Sequence, residues 1–156
     1  MKLPYANFIK IVPFVIGVLS VSFAQAQQVT AASGEVKWVN APASLPAGAK
    51  LAMLQGDLAK PGPLAFQLKL PAGYKLMPHS SPAIDRIIVV SGNFNLGSGD
   101  KFDNARTMPL STGYVHWPEK STYFGWAKEE TIIEIQGAGP FAVSYVNPRD
   151  DPMKKK

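Results

Sequence analysis

Short apolar runs of four to nine residues, broken repeatedly by proline and glycine, organise the chain from about residue 36 onward. Leu64, Phe66, Leu68 and Leu70 alternate with Ala65, Gln67 and Lys69. A period of two is the signature of a strand with one buried face. Ile84 to Val90 is rich in β-branched residues and reads as a central strand. Ser91-Gly92 then reads as a tight turn, with Asn93 to Leu96 returning antiparallel to it. Further strands are expected at Val36 to Val39, Leu51 to Leu54, Tyr74 to Met77, Tyr114 to Trp117, Thr122 to Ala127, Thr131 to Gln136 and Phe141 to Val146. Pro61-Gly62-Pro63, Pro71-Ala72-Gly73 and Gly97 to Asp100 supply turns between them. No stretch keeps a helical period over three turns, and no repeat of solenoid length occurs. Many short strands at this spacing predict an all-β sandwich or barrel, and periodicity alone does not choose between the two.

The amino terminus follows a different pattern. Lys2 and Lys10 flank an apolar run from Ile11 to Leu19, no acid occurs before Glu35, and Ala24-Gln25-Ala26 places small residues where a signal peptidase reads them. Residues 1–26 are therefore expected to be an export signal, with Gln27 as the new start. Ile11 to Ala24 is too short for a span of about 20 apolar residues, so no stable membrane span is expected after cleavage. The expected organisation is a signal peptide at 1–26, a lead-in at 27–48, a barrel domain at 49–148 and a polar tail at 149–156. About 130 residues remain, enough for one domain with a real core. The expected location is the periplasm or the medium.

Charge and cysteine narrow the function classes. The formal charge of +5 falls by two with the loss of Lys2 and Lys10, and three more positive charges sit together at Lys154, Lys155 and Lys156. The domain itself is near neutral. No basic stripe interleaves with aromatics, so a nucleic-acid partner is not expected. The chain has no cysteine, so the fold must hold in an oxidising compartment without disulfides. No nucleophile elbow and no His-Glu-x-x-His motif is present. Gly97-Ser98-Gly99 has no helix after it and reads as a hairpin turn, not a phosphate loop.

One segment carries candidate chemistry. Gly73, five residues, His79, one residue, Ser81, three residues, Asp85, six residues and Gly92 match the spacing of the first cupin motif: Gly, five residues, His-x-His, three or four residues, Glu, six residues, Gly. The second motif is looser. Pro118 matches its proline, while Thr112, Lys120 and Tyr123 stand at its two glycines and its histidine. Over roughly Ala49 to Pro148 the chain resembles the cupin superfamily, as a small single-domain member. The resemblance implies a jelly-roll barrel, a double-stranded β-helix. In metal-bound cupins the two His and the Glu of the first motif join the His of the second around one divalent ion. Carried over, the positions are His79, Ser81, Asp85 and Tyr123. Ser81 and Tyr123 replace imidazoles, and Asp85 replaces the longer carboxylate.

These four are the candidate pocket residues, with His79, Asp85 and Tyr123 as the metal-ligand candidates. His116, the only other histidine, is a candidate replacement ligand if it shares the inward face. Trp117, Phe124 and Trp126 are candidates to line a cavity or simply the core. The expected function is a small-molecule-binding or non-catalytic barrel with a degenerate metal site and no resident cofactor. Two alternatives stay open. One is a metal-dependent enzyme of oxygenase or isomerase type, holding a divalent ion. The other is a dimeric structural scaffold, since cupins often pair through their outer strands.

Overall fold

A computed structural model of the chain describes residues 36–116, 118 and 121–154. The expected export signal, Gln27, Trp117 and Lys120 lie outside the described residues. The described strands are β1 (Val39–Asn40), β2 (Lys50–Gln55), β3 (Gly62–Leu70), β4 (Lys75–Ser80), β5 (Ile84–Ser91), β6 (Phe94–Ser98), β7 (Met108–Leu110), β8 (Gly113–His116), β9 (Tyr123–Ala127), β10 (Thr131–Gly139) and β11 (Ser144–Tyr145). They form two antiparallel sheets, ordered β1-β2-β3-β10-β5-β8 and β11-β4-β9-β6-β7.

The inner faces of the two sheets share one core. Leu64, Phe66, Leu68 and Leu70 of β3 are all buried, while the residues between them are half-exposed. Ile133 and Ile135 of β10 and Ile87 and Val89 of β5 join them from the same sheet. Leu76 of β4, Phe94 and Leu96 of β6, and Tyr123 and Ala127 of β9 face them from the other. Burying each large apolar side chain contributes about 1.5–3 kcal/mol, which is how a domain without disulfides sustains its fold.

The lead-in contributes to this core. Val39–Asn40 pairs with Leu51 and Lys50, and Leu45 is 4% exposed within the core. Two phenols tie the lead-in down: Tyr74 donates to the Pro46 carbonyl at 2.6 Å and Tyr145 to that of Ser44 at 2.9 Å. At the other end, the segment read as a polar tail forms two 3-10 turns, Pro148–Asp150 and Pro152–Lys154. The side chains of Asn147 and Asp151 cap them by accepting from the amides of Arg149 and Met153.

Two expected features differ. Ser91-Gly92 does not close a hairpin. β5 belongs to the six-stranded sheet, whereas β6 pairs with β7 and β9 in the other. Gly92 instead turns a corner between sheets at φ 83°, with no room for a Cβ: the Glu130 carbonyl oxygen lies 2.5 Å from where one would sit. Thr131, fully buried, fixes the corner by accepting from the Asn93 amide at 3.1 Å. The second difference is β7, which the sequence pattern hid because Pro109 sits inside it. The strand pairs only with β6, at the sheet edge, where proline's missing N–H costs no ladder bond.

Candidate functional site inside the barrel

His79 reaches the interior through a bulge. Along β4, Leu76 pairs with Gly125 and His79 with Tyr123, so three steps on β4 match two on β9. The extra residue turns His79 to the same inner side as Leu76, a re-aiming that bulges commonly perform. On the other flank His79 pairs with Tyr145 of β11. The imidazole therefore sits between two phenol rings on neighbouring strands. Its centroid is 4.3 Å from that of Tyr123 and 5.7 Å from that of Tyr145. His79 and Tyr123 are each 3% exposed.

The hydrogen bonding of His79 sets its tautomer. Nδ1 lies 2.7 Å from the Met77 carbonyl oxygen. A carbonyl only accepts, so Nδ1 carries the proton and, in the neutral ring, Nε2 is left as an acceptor. Burial pushes the His79 pKa down, partly offset by the Met77 bond. Burial pushes the Tyr123 phenol well above its ordinary range, reinforced by Tyr145. Tyr145 is pushed up to about 12 by burial and by Asp151 and Asp150. The cluster is thus electrically neutral at physiological pH.

This arrangement has a consequence for stability. Above the ordinary histidine value of 6.5 the folded and unfolded chains both carry a neutral His79. Below it the unfolded chain takes up a proton that the folded chain refuses, so stability falls with falling pH until the lowered folded pKa is passed. Thermal unfolding followed from pH 7.5 down to 5 should show this loss, and His79→Gln should flatten the slope. An unchanged slope in His79→Gln would remove His79 as the cause.

The other candidate residues do not gather around His79. Ser81 lies just past the end of β4. It is buried, 5% exposed, but does not line the inner cavity. Its hydroxyl has no hydrogen-bond partner among the described residues. Asp85, expected to point inward from the neighbouring strand, points out: its side chain is 55% exposed. A second bulge is responsible. Ile84 pairs with Gly137 and Arg86 with Gln136, so Asp85 is the extra residue of β5, and Ile84 and Ile87 take the inner positions. Asp85 there meets His116, Nδ1 to Oδ1 at 3.1 Å. His116 is 64% exposed and also faces outward, so it does not serve as an inner replacement ligand. The outer carboxylate and the outer imidazole partner each other, and inside His79 has only the phenols of Tyr123 and Tyr145 for polar neighbours.

Of the aromatic candidates, Tyr123 lines the interior and Phe124 packs on the outer side of β9. Phe124 contacts Phe102 at 5.3 Å between centroids and covers Gly97, where a Cβ would lie 2.5 Å from its ring. The Trp126 indole donates outward to the Thr107 hydroxyl at 3.4 Å. Tyr145 was not visible as a site residue in the sequence. The only signal for it is its pairing with His79, and strand pairing is not written along a single chain.

The inner cavity is small, about 20 Å³, and lined by apolar side chains with His79 and Tyr123 as its polar members. That is room for about one water molecule. The donor set does not fit a divalent ion. One imidazole nitrogen and one phenol held in its protonated form offer no negative charge. The single carboxylate of the motif is on the far side of the strand. A dication in an apolar enclosure without a compensating anion carries a desolvation cost that neutral donors do not offset. Among the described residues no group of three or more His, Cys, Asp or Glu is placed to hold a metal.

Comparison with known proteins gives the fold a name. The polyketide cyclase RemF from Streptomyces resistomycificus superposes with a TM-score of 0.58 at 17% identity, over 76% of this chain and 84% of that one. A protein from Methylibium petroleiphilum PM1, described as a candidate acetylacetone dioxygenase, gives 0.56 at 15% identity over 89% and 90%. An RmlC-like cupin from Shewanella frigidimarina NCIMB 400 gives 0.51 at 13% identity over 67% and 84%. No protein-family model matches the chain, and no curated protein matches it. At such identities the likeness speaks for architecture alone. With its two facing antiparallel sheets, its strand order and these neighbours, the chain has the cupin fold.

Proposed function

We propose that this chain is an exported cupin-fold module whose barrel performs no metal-dependent chemistry and whose buried histidine is structural. The observation that supports this best is the separation of the motif positions. His79 is the one imidazole inside and has only the neutral Tyr123 phenol beside it, Asp85 and His116 meet each other outside, and Ser81 is a neutral hydroxyl off the cavity. Metal-dependent oxygenase and isomerase chemistry needs an ion with several anionic or imidazole ligands and open positions. A one-water cavity lined by apolar side chains offers neither the ligands nor the room for a substrate. The work left to such a barrel is to present its surface for binding. Isothermal titration with zinc, nickel and manganese is expected to give only weak binding that His79→Ala leaves unchanged. Tight, one-to-one binding abolished by His79→Ala would move the enzyme reading to first place.

A further inference from the structure

The space for a ligand lies outside the barrel. A cleft of about 470 Å³ lies where β3 and β10 of the six-stranded sheet meet the loop into β5. Gly137 is among its lining residues, and a Cβ there would meet the Ala83 carbonyl oxygen. Pro63 and Ala65 line it from β3, and Pro82 and Ala83 from the loop into β5. The polar groups reaching into it are the side chains of Gln55, Gln136 and Asp85.

The hydrogen bonds already made around this cleft determine what it can still offer. Asp85 Oδ1 lies 3.1 Å from His116 Nδ1, and a carboxylate has further lone pairs on Oδ2. Gln136 gives its amide N–H to Glu134 at 2.7 Å, which leaves its carbonyl oxygen as an acceptor. Glu134, held also by Gln67 at 3.2 Å, places a second negative charge beside the cleft. No lysine or arginine is among the lining residues. Arg86, the cross-strand partner of Gln136, stands beside the cleft with its guanidinium over the Tyr114 ring at 5.2 Å. The cleft lining thus carries one carboxylate, two side-chain amides and no cation, among proline and alanine residues.

We propose that this outer cleft binds a primary ammonium or guanidinium group carried on a short apolar body, with Asp85 as the charge partner and Gln136 as the second acceptor. His116 holds the Asp85 carboxylate in place, as a positioning residue. An anion meets repulsion and few free donors here, and an uncharged alcohol leaves the carboxylate without a counter-charge. The inference stands whether or not the barrel interior ever holds a metal.

The test is a heteronuclear NMR titration using butylammonium and butylguanidinium chloride as probes with butanol and butyrate for comparison. The cations should saturably shift the amide signals of Asp85, Gln136 and Gly137. Asp85→Asn should weaken them by at least about tenfold, a change of about 1.4 kcal/mol. His116→Gln, which keeps the carboxylate, should weaken them less. Asp85 is exposed, so its replacement leaves the core intact. No saturable shift at these amides would overturn the proposal. So would equal binding of butyrate or butanol, or undiminished binding by Asp85→Asn.

Discussion

Gly137→Ala should lower folding stability by about 3 kcal/mol, the upper end of the usual cost of forcing extra volume into a packed site. The backbone of Gly137 needs no special dihedral angles, so the cost is steric. The added methyl would overlap the Ala83 carbonyl oxygen, with the amide of Asp85 at 3.2 Å. Those are main-chain atoms and cannot rotate away as a flexible side chain would. Nor can the loop lift freely, because the Ala83 carbonyl accepts from the Ala138 amide at 3.0 Å. The same loop carries Ser81 and leads into the bulge that turns Asp85 outward. Urea unfolding should therefore show a clear drop in midpoint, and the amide signals of residues 81–86 should move. A variant as stable as the natural protein would mean that the loop is not packed on β10 in this way.

Introducing imidazoles should raise the barrel's affinity for metal. Tyr123 is the cross-strand partner of His79, with ring centroids 4.3 Å apart. A histidine at 123 would face His79, whose Nδ1 is already bonded and whose Nε2 is left to ligate. Exchanging phenol for the smaller imidazole also enlarges a cavity that otherwise has room for little more than one water. Adding Ser81→His puts a third imidazole just past the end of the same strand, off the cavity lining, so it contributes only if the longer side chain reaches back toward His79. Three imidazoles are a sufficient set for zinc with an open fourth position. The double variant Ser81→His with Tyr123→His should bind zinc at least about tenfold more tightly than the natural protein, about 1.4 kcal/mol. Isothermal titration of both proteins measures it. Because Asp85 faces outward, the new site depends on the imidazoles alone, and Asp85→Asn in the double variant should leave its affinity unchanged. Equal affinities in natural and double-variant proteins would show that position 123 or 81 does not reach the His79 nitrogen.

Much of this architecture is legible along the chain, because a period of two is a local signal. β3 follows its alternation from Leu64 to Leu70, and the apolar face of β10 follows from Thr131, Ile133 and Ile135. What decides the site is not local. Asp85 sits at the spacing that the motif resemblance assigns to an inward carboxylate, but one unpaired residue in β5 reverses the expected direction, and a bulge depends on the partner strand. Its cause is one strand away, where Gly137 lets the Ala83 carbonyl approach. The turn at Gly92 is correctly placed but wrongly connected. Turn chemistry says that the chain bends, and which sheet receives it is settled by Thr131 and Glu130. The same holds for the phenols beside His79: Tyr123 stood at a motif position, whereas Tyr145 came into view only through strand pairing.

The most direct measurement of the central claim is the metal content of the protein, purified without chelator or added metal. With one imidazole inside, two neutral hydroxyl positions and the carboxylate outside, zinc, iron, nickel, manganese and copper are each predicted at well under one ion per chain. His79→Ala should show the same amounts. A full equivalent of one metal that persists through purification and is lost in His79→Ala would contradict the account.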